Sequence, residues 1–276
     1  MTAPATTIDR LDLPPIGLGT YGLRGEGAVT AVLSAIDLGY RLLDTAVNYG
    51  NEAAVGEAVR RSDVDRDDIL VCSKIPGRHH AHDAATASTR ESLERMGLDR
   101  LDLHLIHWPN PSVGLYRQAW QALVDLREEG LVRDIGVSNF TAQHLEEIID
   151  DTGVVPLVNQ VELHPYFPQE ELRAVHEELG ITTESWSPLA KRAVFDEPPV
   201  RAAAAAHGVT PAQVVLRWHL ELGALPIPKS GSPERQAENL DVDGFALSDD
   251  EVAAITALGR PDGRLFDGDP RYHEEQ

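Results

Sequence analysis

Eight short runs of strand-type residues alternate with longer helix-type runs along the whole of this 276-residue chain, and that alternation leaves few architectures open. The strand-type runs are 16–20, 41–45, 69–74, 101–107, 134–138, 157–161, 181–186 and 224–228. Several are continuous apolar stretches, as in Ile69-Leu70-Val71-Cys72, which is what strands covered on both faces require. Between them, apolar residues recur at helical spacing. Val29, Val32, Leu33 and Ile36 precede Gly39; Tyr116, Ala119, Trp120 and Leu123 precede Gly130; Leu172, Val175 and Leu179 precede Gly180.

Strands alternating with helices close into a barrel or open into a doubly wound sheet. The open sheet would carry a glycine fingerprint after its first strand. Here Gly17-Leu18-Gly19 continues as Thr20-Tyr21-Gly22, without the third glycine of that motif. Eight units in about 250 residues favour an α/β fold of the (β/α)8 TIM-barrel type. No linker, repeat or charge block interrupts it, so residues 1–276 are expected to be one domain. Residues 190–206, with Pro198-Pro199 and an alanine run, read as an inserted loop, and 209–222 as a helix. Ser248-Asp249-Asp250-Glu251 reads as a capping box opening a last helix through Leu258. The Gly-, Asp- and Pro-rich tail after Gly259 is expected to lie over the barrel mouth.

The formal charge of −21 argues against nucleic acid or an anionic membrane as partner, because both need a basic face. No stretch approaches the ~20 apolar residues of a membrane span, and the polar N-terminus has no signal-type apolar segment. The single cysteine, Cys72, excludes an internal disulfide and suits a reducing cytoplasm; its apolar neighbours point to a buried, inert thiol. Only Lys74, Lys191 and Lys229 supply lysine charge, so an anionic cofactor would need a local cluster of cations.

In a barrel of this type the active site forms at the C-terminal ends of the strands. The polar and aromatic residues at those ends are Asp44 with nearby Tyr49, Lys74, His107, Ser138-Asn139, Gln160, Trp186 and Lys229. A tyrosine beside a lysine is expected to have its pKa lowered. Moving it from about 10 toward 7–8 takes roughly 3–4 kcal/mol and would yield a proton donor near neutral pH. Asp44 would keep Lys74 charged, and His107 would orient a carbonyl oxygen.

These residues carry a resemblance. Gly19-Thr20-Tyr21, Leu43-Asp44-Thr45-Ala46, Tyr49-Gly50-Asn51-Glu52, Ser73-Lys74, Leu105-Ile106-His107-Trp108-Pro109, Gly136-Val137-Ser138-Asn139-Phe140, Asn159-Gln160-Val161-Glu162, Trp186-Ser187-Pro188-Leu189 and Ile227-Pro228-Lys229-Ser230 occur in the order found in aldo-keto reductases. The chain resembles that family from end to end, and within it the bacterial branch acting on 2,5-diketo-gluconate and small reactive carbonyls. The resemblance implies a catalytic set of Asp44, Tyr49, Lys74 and His107, NADPH as cofactor, no metal and a monomer. Trp186 would stack on the nicotinamide, while Ser138, Asn139 and Gln160 would hold its carboxamide. Gly19, Thr20, Tyr21, Ser187 and Leu189 would add cofactor contacts. Lys229, Ser230, Ser232, Arg235, Glu238 and Asn239 would hold the adenosine end. Local physics agrees there: Ser232 followed by Pro233 is a good N-cap and N1 pair, and a helix N-terminus flanked by cations suits a phosphate.

Tyr21, Val47, His107 and Trp108 would line the substrate pocket. Ile75-Pro76-Gly77 stands where the family often has an aromatic after the lysine, Ala190 where glycine is common, and Trp186 where tyrosine is commoner. Short segments after strand four and at the C-terminus suggest an open, permissive pocket for small polar aldehydes, dicarbonyls and keto-sugars.

Several residues have plainer readings. His104 would face the opposite side of its strand from His107 and is expected to be structural. His79, His80, His82 and Asp83 read as a solvated loop because no second ligand group matches them. Two other function classes use the same residues: a lyase with Lys74 as a Schiff base, detectable by borohydride trapping, and a sensor that binds NADPH without consuming it.

Overall fold

The computed structural model describes residues 10–266 and 268–275. The expected absence of a signal-type segment concerns mainly residues 1–9, which lie outside the described residues.

Eight parallel strands form one sheet in sequential order: β1 (Leu18–Gly19), β2 (Leu42–Asp44), β3 (Leu70–Ile75), β4 (Leu101–Ile106), β5 (Val132–Ser138), β6 (Val158–Glu162), β7 (Thr182–Trp186) and β8 (Leu225–Pro226). The first and last strands meet. Gly17 N donates to Pro226 O at 3.0 Å, Gly19 N to Pro228 O at 3.3 Å, and Gly19 bridges to Lys229 in parallel. This is a closed (β/α)8 barrel. β1 and β8 are shorter than their sequence patterns because Pro226 and Pro228 have no N–H to donate across the seam. The seam is also close: a Cβ on Gly19 would stand 2.8 Å from Ile227 O, so only glycine fits there.

Ten α-helices occupy the described residues: α1 (Gly25–Leu38), α2 (Glu52–Arg61), α3 (His82–Met96), α4 (Tyr116–Glu128), α5 (Ala142–Thr152), α6 (Glu170–Leu179), α7 (Pro198–His207), α8 (Pro211–Glu221), α9 (Pro233–Leu240) and α10 (Asp249–Thr256). Their apolar faces bury against the outer faces of the strands, with Val29, Val32 and Ile36 of α1 and Trp120 and Leu123 of α4 in one continuous core. Trp120 and Trp218 are fully buried, and truncating residues of that size typically costs about 3–5 kcal/mol.

The segment expected as an inserted loop is corrected by α7. Pro198 and Pro199 occupy its first turn, where a missing N–H costs nothing, and the alanine run then propagates the helix. The Ser248 capping box is present, with Ser248 Oγ accepting from Glu251 N. Thr210 caps α8 in the same way through Gln213. No described helix is long and apolar enough to cross a membrane.

Candidate active site

Each site residue comes from the C-terminal end of a strand or the loop beyond it. Asp44 ends β2, and the chain then makes a short 3-10 turn, Val47–Tyr49, that lifts Tyr49 over the barrel mouth. Asn51 fixes that loop: it accepts from Thr45 Oγ1 at 2.7 Å and donates to Thr20 O at 2.9 Å. Thr20 in turn donates from Oγ1 to Asp44 O at 2.9 Å.

Lys74, in β3, is fully buried, and its ammonium donates to both Asp44 oxygens at 2.6 and 2.7 Å and to Thr45 O at 2.9 Å. The Tyr49 hydroxyl lies 3.5 Å from Lys74 Nζ. Burial disfavours a charged lysine, but the Asp44 carboxylate outweighs it and holds the Lys74 pKa above its ordinary value. The expected lowering of Tyr49 is corrected. Burial is the larger effect and pushes its phenol up to about 12, although Lys74 pulls in the opposite direction. Tyr49 is therefore a protonated phenol at neutral pH, which is the state a proton donor needs.

His107 follows β4 directly and packs edge-on to Tyr49, with ring centroids 5.7 Å apart. Tyr21, 68% exposed, also packs edge-on to Tyr49, with ring centroids 5.2 Å apart. Ser138 and Asn139 at the end of β5 are tied to neighbouring strands: Ser138 Oγ donates to Gln160 O at 2.8 Å, and Asn139 Nδ2 donates to His107 O at 3.0 Å. Asn139 adopts φ 62°, and its Oδ1 accepts from Trp186 Nε1 at 2.9 Å, fixing the indole. Gln160, expected beside a carboxamide, donates from Nε2 to Asp44 Oδ1 at 2.8 Å and so joins the buried charge network.

These groups surround a cavity of about 330 Å³ lined by Gly19, Tyr21, Asp44, Tyr49, His107, Trp108, Ser138, Asn139, Gln160, Trp186, Ser187, Ile227, Lys229 and Phe266 among others. Val47, expected as a wall, is half-buried in its turn and does not line the cavity. Leu189 packs into the hydrophobic core, and Thr20 is buried beneath the Asn51 contact.

At the far end, Ser232 caps α9 by accepting from Arg235 N, and Ser230 Oγ donates to Ser232 O at 3.1 Å. Lys229 and Arg235 are exposed, and neither side chain makes a hydrogen bond or ion pair among the described residues. Glu238 accepts from Thr210 Oγ1 at 2.7 Å, and Asn239 is buried beside the Tyr40 hydroxyl. This gives two uncommitted cations at a capped helix start, in a chain of net charge −21.

The tail supplies groups that sequence reasoning missed. Phe266 packs on Trp186 at 5.1 Å, His273 lies 4.2 Å from the Trp108 ring, and Glu275 Oε1 lies 2.6 Å from His107 Nδ1. The tail thus lies over the mouth as expected, but it roofs the pocket and makes it less open than the short loops suggested. No periodicity or motif in 260–276 marks these residues.

Other expectations resolve by burial. Cys72 is buried and its thiol is pushed up by that burial. His104 is buried with Nδ1 2.9 Å from Ser73 O, and desolvation lowers it to about 4. The solvated-loop reading of the histidine cluster is corrected for His80, which is 1% exposed. His82 opens α3 and pairs with Asp125 at 2.9 Å. Among the described residues no group of three or more His, Cys, Asp or Glu is placed to hold a metal ion. One buried acid, Glu184 of β7, lies near Asp44 and Lys74, where burial and the Asp44 charge raise its pKa; its strand reads Thr-Thr-Glu-Ser-Trp, so no apolar run set this carboxylate apart in the sequence.

A protonated phenol beside a buried ammonium, at the C-terminal mouth of an eightfold barrel and beside a fixed indole, defines a barrel oxidoreductase. The chain belongs to the aldo/keto reductase family, whose model matches residues 15–260. It is 62% identical over 260 residues to 2,5-diketo-D-gluconic acid reductase B of Corynebacterium sp. (strain SHS752001), covering 94% of this chain and 93% of that one. It is 42% identical over 260 residues to methylglyoxal reductase DkgA of Escherichia coli (strain K12), covering 94% and 93%. Among solved structures it is similar to the Gox0644 D53A mutant in complex with NADPH, at 45% identity and a TM-score of 0.90 over 95% of each chain.

Proposed function

We propose that this chain reduces small polar aldehydes, 2-oxo aldehydes, dicarbonyls and keto-sugars to alcohols with NADPH, using Tyr49 as proton donor. The observation that carries this reading is the buried Asp44–Lys74 pair beneath a protonated Tyr49 at the floor of the cavity. NADPH, when bound, supplies the hydride to the carbonyl carbon. The protein's own residues handle the oxygen. His107 and Tyr49 converge on the same side of the cavity, so a carbonyl oxygen placed between them accepts the Tyr49 proton as charge develops on it. The phenolate left behind faces the Lys74 ammonium, which Asp44 holds in place.

The residues present fit the cofactor. Gly19 lines the cavity, the Trp186 indole is fixed by Asn139, and Lys229 and Arg235 offer free charge for a phosphate. The NADPH-bound relative and the names of the reductases reported above support both cofactor and substrate class. The lyase alternative fares worse, because Asp44 keeps Lys74 as an ammonium with no free amine to attack a carbonyl. All of these groups come from one barrel in one chain, which supports a single domain over 1–276 working as a monomer. The lone buried thiol suits the cytoplasm.

The test follows NADPH absorbance with methylglyoxal, 2,5-diketo-gluconate, other aldehydes, 2-oxo acids and a steroid ketone. Turnover of the small polar carbonyls is expected, with little on the steroid. Tyr49→Phe should lower turnover by about a hundredfold or more while leaving NADPH affinity nearly unchanged. NADPH binding without consumption would instead identify a sensor.

A further inference from the structure

The last described residue, Glu275, reaches the active site from behind. Its Oε1 lies 2.6 Å from His107 Nδ1 and accepts from Asn48 Nδ2 at 2.7 Å, while Oε2 accepts from Gly77 N at 3.1 Å. The backbone is clasped as well. Asn110 Nδ2 donates to Glu275 O at 2.7 Å, and Glu275 N donates to Asn110 Oδ1 at 2.9 Å. Both side chains are nearly enclosed, Glu275 at 11% and His107 at 12% exposed. Burial works to raise the Glu275 pKa, yet the contacts to His107, Gly77 and Asn48 outweigh it and keep the group a carboxylate.

The chain is shaped to admit this tail. A Cβ on Gly77 would stand 2.1 Å from Asn110 Nδ2 and 2.7 Å from Glu275 O, so any larger residue displaces the segment. Glu275 does not line the cavity, whereas His107 does. The carboxylate therefore meets the imidazole on the side away from substrate. It lies off the axis of an aligned Nδ1 hydrogen bond, so it acts on the ring by close contact and charge, while Asn48, Gly77 and Asn110 hold the carboxylate itself in place.

We propose that Glu275 is a positioning residue for His107: the docked tail carboxylate occupies Nδ1 and fixes the ring so that Nε2 is presented to the carbonyl oxygen. The proposal rests on the carbonyl-reductase reading above. It assigns the C-terminal residues a part in orienting substrate that is separate from roofing the pocket. A reactive geometry is sensitive to displacements of about 1 Å, which is the scale on which an unheld imidazole would wander.

A double-mutant cycle separates positioning from roofing. Glu275→Ala is expected to lower kcat/KM for methylglyoxal about tenfold, largely through KM, with the NADPH Kd within about twofold. In a His107→Ala background the same change should cost less than about twofold, because its target is gone. Equal losses in both backgrounds would make the tail a roof only and overturn the proposal. A second measurement needs no turnover: nitrogen NMR of histidine-labelled protein, with His107 assigned by its loss in His107→Ala. Glu275→Ala and Gly77→Ala should each shift the His107 Nδ1 resonance, and an unchanged resonance in both overturns the proposal. If the unsubstituted chain reduces no carbonyl, the reaction reading fails, and the NMR arm still decides whether Glu275 holds the ring.

Discussion

The Tyr49 hydroxyl lies 3.5 Å from the Lys74 ammonium, and the same ammonium sits 4.9 Å from the centroid of the Tyr49 ring. At that separation the charge stabilises a phenolate once it forms. It does not create one in advance, because burial raises the phenol to about 12.

A pH profile follows from that sign. The donor is the protonated phenol, which is fully populated below its pKa and is lost only as pH rises through about 12. Reduction, followed as kcat/KM at fixed ionic strength, should therefore show no loss from Tyr49 between about pH 7 and 10. A decline with an apparent pKa of about 7–8 would mean that Lys74 wins over burial after all.

The Asp44–Lys74 pair should matter for stability as well as for chemistry. Asp44→Ala strands a fully buried ammonium and removes the acceptor of Gln160, and breaking such a pair typically costs about 3–5 kcal/mol. Replacing both partners, as Asp44→Leu with Lys74→Met, should recover much of that loss while leaving the enzyme inactive. Urea unfolding read by linear extrapolation checks both. A cost below about 1 kcal/mol for Asp44→Ala would show that solvent reaches Lys74.

Cofactor choice should turn on the cations beyond β8. A 2′-phosphate distinguishes NADPH from NADH, and Lys229 and Arg235 flank the capped start of α9 without other partners among the described residues. NADPH should bind at least about tenfold tighter than NADH, and Arg235→Ala should erase much of the difference by weakening NADPH alone. Fluorescence titration of the tryptophans measures both constants. Added salt should weaken NADPH more than NADH, since the favoured contact is between charges. Equal dissociation constants in the unsubstituted protein would sink this assignment.

Sequence by itself determined the order of strands and helices, the barrel, and the positions of Asp44, Tyr49, Lys74, His107 and Trp186. Those follow from periodicity and from short loops that leave the residue after each strand at one rim of the barrel. Proline chemistry was misread at 198–199, where the same residues that break a helix interior open α7 at its first turn. The tertiary structure decided three further things. It closed the seam between β1 and β8 through proline carbonyls, set the direction in which Tyr49 shifts, and brought Glu275 against His107. Each depends on groups far apart in the chain. Desolvation of a phenol sums over everything packed around it, and the docking of a tail depends on a cradle built from Asn48, Gly77 and Asn110, so neither is encoded in a local pattern.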